Sequence, residues 1–146
     1  MVPSTILVAT DFSDIGRRAT DWAADLARAL GAKLIVLHAF DIPVVGIPDA
    51  AFIVDAKTAA RLSEQAQRGL DAEVERLRRS GSGAEGMLRQ GDPRETILQA
   101  TEAAGATLIV VGSHGRRGLS RALLGSVAET VVRTSKVPVA VVRAPA

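Results

Sequence analysis

The densest concentration of chemistry-bearing residues is the segment VVGSHGRRGLSRALLGSVAE, which sets Gly112, Gly115, Gly118 and Gly125 between an apolar run and a helical one. Glycines let backbone N–H groups approach a ligand closely, and a helix starting near Gly125-Ser126 offers unpaired N–H donors and the positive end of its dipole. Phosphate suits such a loop. Arg116, Arg117 and Arg121 add charge, and Ser113, Ser120 and Ser126 add hydroxyl donors, although a solvated loop would carry the same residues. No Gly-Lys-Ser/Thr follows, so this is not a Walker loop, and the spacing is not Gly-x-Gly-x-x-Gly. Asp11 follows another apolar run and is either a turn or helix-capping residue or a ligand contact. His114 has no second residue to complete a triad or a metal set, and its plain reading is a surface loop histidine. His38, inside an apolar run, reads as a satisfied core or strand-end histidine rather than a ligand. No catalytic residue and no metal ligand is assigned.

The elements that must hold this loop are legible. Thr5 to Ala9 is a short apolar run of the kind a strand buried on both faces shows. Ser13 is a fitting N-cap for a helix carrying Ile15, Ala19, Trp22, Ala23, Leu26 and Leu30, and Gly31 stands at its C-cap. Lys33 to Ala39 repeats the buried-strand pattern, and Asp55 to Ser80 reads as a helix. Between them, Phe40 to Ile53 contains Pro43, Gly46 and Pro48, which predict an irregular loop; its apolar content means that it packs on the second helix or forms a flap over a ligand or partner. A weak strand at Glu85 to Gln90, a helix opened by Pro93, strands at Ala106 to Gly112 and Val137 to Arg143, and a helix between those two complete the chain. Five strands alternating with four helices predict an α/β fold: a mainly parallel, doubly wound sheet with helices on both faces. Ligands bind such sheets beyond the carboxyl ends of the strands, which directs attention to Asp11, Ala39, Gly91 and the Gly112 loop.

Composition removes several alternatives. The chain has 146 residues, the size of one domain spanning 1–146, and no Cys, which excludes disulfides, thiolate metal sites and a cysteine nucleophile. The 18 basic and 16 acidic residues leave a net charge of only +2, and with 3% aromatics there is no basic, stacking face for nucleic acid. No apolar run reaches membrane-spanning length, and no basic stretch precedes the first apolar run, so the expectation is a soluble cytoplasmic protein.

Gly112-Ser113-His114-Gly115, nine residues from Arg116 to Leu124, then Gly125-Ser126, resembles the Gly-x-x-Gly, nine-residue, Gly-Ser/Thr pattern of nucleotide-binding members of the universal stress protein family. ILVATDFS, LIVLHAF, GDPRETIL and TSKVPVAVVR, in that order, extend the resemblance over nearly the whole chain. The resemblance implies a Rossmann-like fold of the adenine nucleotide alpha hydrolase type that binds ATP. Adenine and ribose would lie near Ala9, Thr10, Asp11 and Ala39. Val111 and Gly112 would meet the ribose, His114, Gly115 and Arg116 would follow the phosphate path, and Gly125, Ser126 and Val127 would donate to the outer phosphates. Mg²⁺ or Mn²⁺ would bridge those phosphates. Ala128 stands where some members carry Thr. The resemblance also implies a homodimer formed through Val137 to Val142. A nucleotide-responsive regulator acting on a downstream protein partner is the first reading, because no general base, arginine finger or nucleophile is evident. Slow ATP hydrolysis or phosphotransfer and a nucleotide-independent scaffold are the alternatives.

Overall fold

Short apolar strands alternate with amphipathic helices along the chain. The computed structural model describes residues 1–42, 44–47, 50–53, 55–114 and 123–145. The elements are β1 (Thr5–Ala9), α1 (Asp14–Leu30), β2 (Lys33–Phe40), β3 (Val44–Ile47), β4 (Ala50–Ile53), α2 (Ala56–Arg79), β5 (Glu85–Gln90), α3 (Pro93–Ala104), β6 (Leu108–Gly112), α4 (Ser126–Thr134) and β7 (Val139–Val142). Five strands form one sheet in the order β5-β2-β1-β6-β7, and every neighbouring pair is parallel.

The unbroken apolar runs have a direct cause: successive side chains point to opposite faces, and both faces are covered. Ile6, Val8, Leu34, Val36, Leu108 and Val110 enter one core, with Ala19, Ala23, Ala24 and Ala27 of α1 and Leu70, Val74 and Leu77 of α2. Leu7, Ile35, Leu37, Ile109 and Val111 enter the other, with Ile97 and Ala100 of α3 and Ala128 and Val131 of α4. Across the seam between α1 and α2, Thr20 Oγ1 donates to Glu73 Oε1 at 2.5 Å, and Arg76 bridges Glu73 and Asp21 at 2.7 Å each. Burial pushes the Glu73 carboxyl upward, but the hydrogen bonds from Arg76 and Thr20 outweigh it and leave the group below its ordinary value.

The expected helix boundaries appear as real caps. Ser13 Oγ accepts from Gly16 N, Gly31 closes α1 at φ 65°, and Pro93 opens α3 after the Asp92 N-cap. One expectation is corrected. The stretch from Phe40 to Ile53 is not irregular: β2 runs on to Phe40, and β3 and β4 form an antiparallel hairpin pairing Val44 with Ile53 and Ile47 with Ala50. Proline forbids a strand only at the ladder positions it occupies; β3 runs between Pro43 and Pro48, β4 follows Pro48, and their Val, Ile and Phe residues favour extended backbone. The side chains of residues 43–54, and with them the expected packing on α2, lie outside the described residues.

Strand β7 is at the sheet edge and begins two residues later than expected. Pro138 has no N–H to donate, and it joins the sheet only as an acceptor, from Ile109 N at 3.0 Å. No described helix is long and apolar enough to cross a membrane.

Candidate functional site: a cleft at the carboxyl ends of the strands

From β1 the chain builds outward through β2 and β5, then crosses back to place β6 and β7 on the other side. At that reversal, beyond the carboxyl ends of the strands, a cleft of about 740 Å³ opens. Ala9, Thr10, Asp11, Ala39, Val111, Gly112, His114, Gly125, Ser126 and Val127 line it. Gly115 and Arg116 lie outside the described residues.

The β1 side of the cleft is a wired turn. Thr10 N donates to the Leu37 carbonyl at 2.9 Å, carrying the β1–β2 ladder one residue past the strand. Phe12 N donates to Thr10 Oγ1 at 3.1 Å, and Ser13 donates to Asp11 Oδ1 through its N–H at 3.0 Å and its hydroxyl at 2.5 Å. Phe12 takes φ 64°, a left-handed conformation unusual for a bulky residue, and its ring lies 4.2 Å from that of His38. His38 Nδ1 donates to the Thr10 carbonyl at 2.8 Å, so this histidine, read as a satisfied core or strand-end residue, is half-buried near the end of β2 and holds the turn. Gly16 is required here: a Cβ would lie 2.8 Å from Thr10 Oγ1 and 2.9 Å from Asp11 Oδ1.

On the β6 side, Ser113 N donates to the Val142 carbonyl at 2.8 Å, and Gly125 N donates to the Ser113 carbonyl at 2.7 Å. The two ends of the glycine segment are therefore tied together. Ser113 Oγ lies 3.1 Å from His114 Nδ1, and both residues are buried. The surface reading of His114 is thereby corrected: the residue is buried at the point where Gly125 is tied back to Ser113. Gly112 answers partly to packing, since a Cβ there would stand 2.7 Å from Ile15 Cγ2. Helix α4 starts from Gly125, in extended backbone at φ −64° and ψ 161°, with no side-chain cap. The other three helices are capped by Ser13, Asp55 and Asp92.

The third wall was not anticipated as such. Asp92, Pro93, Arg94 and Ile97 line the cleft from the start of α3, together with Gly16 and Ala128. Gly91 N donates to the Phe40 carbonyl at 2.8 Å, which sets the α3 N-terminus beside the end of β2. Asp92 Oδ1 accepts from Arg94 N at 2.9 Å and Nε at 3.0 Å, and Oδ2 accepts from the guanidinium at 2.5 Å. The Arg94 side chain, then its backbone N–H, hold the Asp92 carboxyl down at about 2. The local signal was the Gly91-Asp92-Pro93 turn; that it meets Ala39 follows from the pairing of β5 with β2.

Among the described residues no group of three His, Cys, Asp or Glu is placed to hold a metal ion. The arrangement is that of a cleft with apolar walls at Ala9, Ala39, Val111 and Ile97 and with the first turn of α4, Ser126 and Val127, at one end; the N–H groups of Ser113 and Gly125 are already bonded to the Val142 and Ser113 carbonyls.

Comparison with known proteins gives a consistent family. The model of the universal stress protein family matches residues 4–143. A universal stress protein of Thermus aquaticus is 36% identical over 140 residues, covering 95% of this chain and 98% of that protein. The solved structure of MJ0577 from Methanocaldococcus jannaschii superimposes with a TM-score of 0.82 at 26% identity, covering 100% of this chain and 99% of that one. A universal stress protein in complex with cAMP superimposes with a TM-score of 0.75 at 28% identity, covering 99% and 100%. One from Archaeoglobus fulgidus in complex with dAMP gives a TM-score of 0.70 at 26% identity, covering 98% and 100%. With the parallel sheet, the cleft and the family match in agreement, this chain belongs to the universal stress protein family.

Proposed function

We propose that this protein binds an adenine nucleotide, ATP with Mg²⁺ or Mn²⁺, in the cleft and acts as a cytoplasmic, nucleotide-responsive regulator. The observation that carries this reading is the uncapped start of α4 on the cleft wall, beside buried Ser113 and His114. First-turn N–H groups without a side-chain acceptor favour an anion through hydrogen bonding and the helix dipole together. Relatives of the same fold hold cAMP and dAMP, which supports an adenine nucleotide as the ligand.

Each wall then has a role. Ser126 and Val127 donate to phosphate oxygens; Asp11, fixed by Ser13, faces the sugar hydroxyls; Ala9 and Ala39 take the base. ATP brings the charge that the α4 start receives, and a divalent ion would enter on the phosphates, since the described residues offer no ligand set of their own. Binding changes the surface offered to a downstream protein. Edge strand β7 supports a homodimer through Val137 to Val142, for which light scattering at micromolar concentration should give twice the monomer mass, and a monomer mass would remove it.

The test is calorimetric titration of nucleotide-stripped protein with Mg-ATP, beside Ser126→Pro. Proline is tolerated at the first helical position, and the extended backbone of Gly125 is compatible with a following proline. The variant should fold, lose both the N–H and the hydroxyl of residue 126, and bind at least tenfold more weakly, as for hydrogen bonds to a charged group. Equal binding by variant and wild type removes the α4 start as the phosphate site.

A further inference from the structure

A bidentate ion pair stands on the cleft wall at the start of α3, and the binding reading above gives it no task. In the order β5-β2-β1-β6-β7, α4 follows β6, whereas α3 follows β5, beyond β2. A nucleotide whose phosphates lie at Ser126 therefore extends across the ends of β1 and β2 and brings its base toward Ala39, Ile97 and Arg94. Ile97 is buried and apolar, and Ala39 presents only a methyl group, so these two form a floor without polar groups to read a base.

Arg94 differs from a mobile surface arginine. Its Nε and a terminal nitrogen both bond the carboxylate of Asp92, itself fixed by the N–H of Arg94 as the α3 cap. A guanidinium held at two points is a plane of defined orientation, and this side chain remains half exposed on a residue that lines the cleft. A planar cation on an apolar slot stacks on a π-system, and an arginine already paired through its edge keeps its face for that contact. The paired carboxylate also offsets its charge, which makes Arg94 a weaker attractant for a phosphate than the α4 start.

We infer that Arg94, oriented by Asp92, is a specificity-determining residue that stacks on the nucleobase and gives the cleft a preference for purines. The inference rests on the proposed nucleotide site. Stacking scales with the π-face covered, so a purine gains more than a pyrimidine.

The experiment compares wild type, Arg94→Ala and Arg94→Lys by titration with Mg-ATP, Mg-CTP and inorganic tripolyphosphate, with folding checked by circular dichroism. Arg94→Ala should weaken ATP binding about three- to tenfold, the range of a partly desolvated cation–π contact. CTP should weaken less, and tripolyphosphate should not change. Arg94→Lys should resemble Arg94→Ala, because an ammonium lacks the planar fork. Unchanged ATP affinity in Arg94→Ala, or equal losses for ATP and tripolyphosphate with rescue by Arg94→Lys, overturns base stacking while leaving the nucleotide site intact. No binding of any nucleotide by folded wild type overturns the nucleotide site, and this inference falls with it.

Discussion

Helices α3 and α4 pack side by side on one face of the sheet, and both begin at the same cleft, yet their first turns are finished in opposite ways. The start of α3 is closed on itself: Gly91 bonds back to β2, Asp92 caps, Pro93 needs no acceptor, and Arg94 neutralises the cap. The start of α4 has only Gly125, which donates its own N–H to Ser113 and offers no side chain to the turn that follows. One terminus is stabilised by folding alone, and the other is the one that the proposed nucleotide would complete. Among the described residues, side-chain capping is thus present at one of two neighbouring helix starts and absent at the other.

Making α4 resemble α3 is the severest way to break this contrast. Gly125→Asp adds an acceptor and a negative charge where the phosphates would lie, in a backbone conformation that Asp adopts freely. Nucleotide binding should fall by two orders of magnitude or more, on the order of the cost of a like charge against a bound anion. Thermal stability should rise or hold, since a side-chain cap contributes about 1 kcal/mol. Loss of binding together with a falling melting temperature would mean that the substitution merely damages α4.

The reverse change is milder. Asp92→Ala removes the α3 cap and should cost about 1 kcal/mol of stability, read as a lower urea midpoint with an unchanged slope. ATP binding should weaken too, but only to the extent seen for Arg94→Ala, because Asp92 acts by orienting Arg94. The smallest effect concerns pH. The Asp92 carboxyl, held at about 2 in the folded protein, lies below its unfolded value near ~3.9. Its contribution is therefore full above pH ~4 and is lost as pH falls toward 2. The pair is at the surface, so that contribution is roughly 0.5 kcal/mol after screening. Urea midpoints of wild type and Asp92→Ala should converge partly between pH 5 and pH 2; a constant gap would assign the cap's value to packing instead.

Much of this molecule was legible without coordinates because its signals are local. Runs such as Ile6 to Val8 and Leu108 to Val111 are apolar at every position, which only a doubly covered strand tolerates, and Ser13, Gly31 and Pro93 mark helix ends by mechanisms acting within a few residues. The glycine segment declared one wall of the cleft in the same way. Arg94 was not legible as a lining residue, because its place depends on β5 pairing beside β2, and nothing near residue 94 encodes strand order. The hairpin of β3 and β4 was hidden by Pro43 and Pro48, which read locally as breakers, whereas Val44-Val45 between them and Phe52-Ile53 beyond them pair as a ladder. Burial of His114 was not legible, because the tie beside it, Gly125 N to the Ser113 carbonyl, joins residues twelve positions apart.

The central position of β1 bears on how the chain emerges from the ribosome. Ile6, Leu7 and Val8 pair on one side with Leu34, Ile35 and Val36, which are made soon afterwards, and on the other with Leu108, Ile109 and Val110. During synthesis the first half can assemble β1 and β2 under α1 while the far edge of β1, a strand whose Ile6, Leu7 and Val8 are fully buried in the finished fold, still waits for a partner about a hundred residues away. An open apolar edge of that kind templates pairing with other chains. The nascent protein is thus most exposed to aggregation after β2 is made and before β6 leaves the exit tunnel, and slowed elongation across that interval lengthens the exposure.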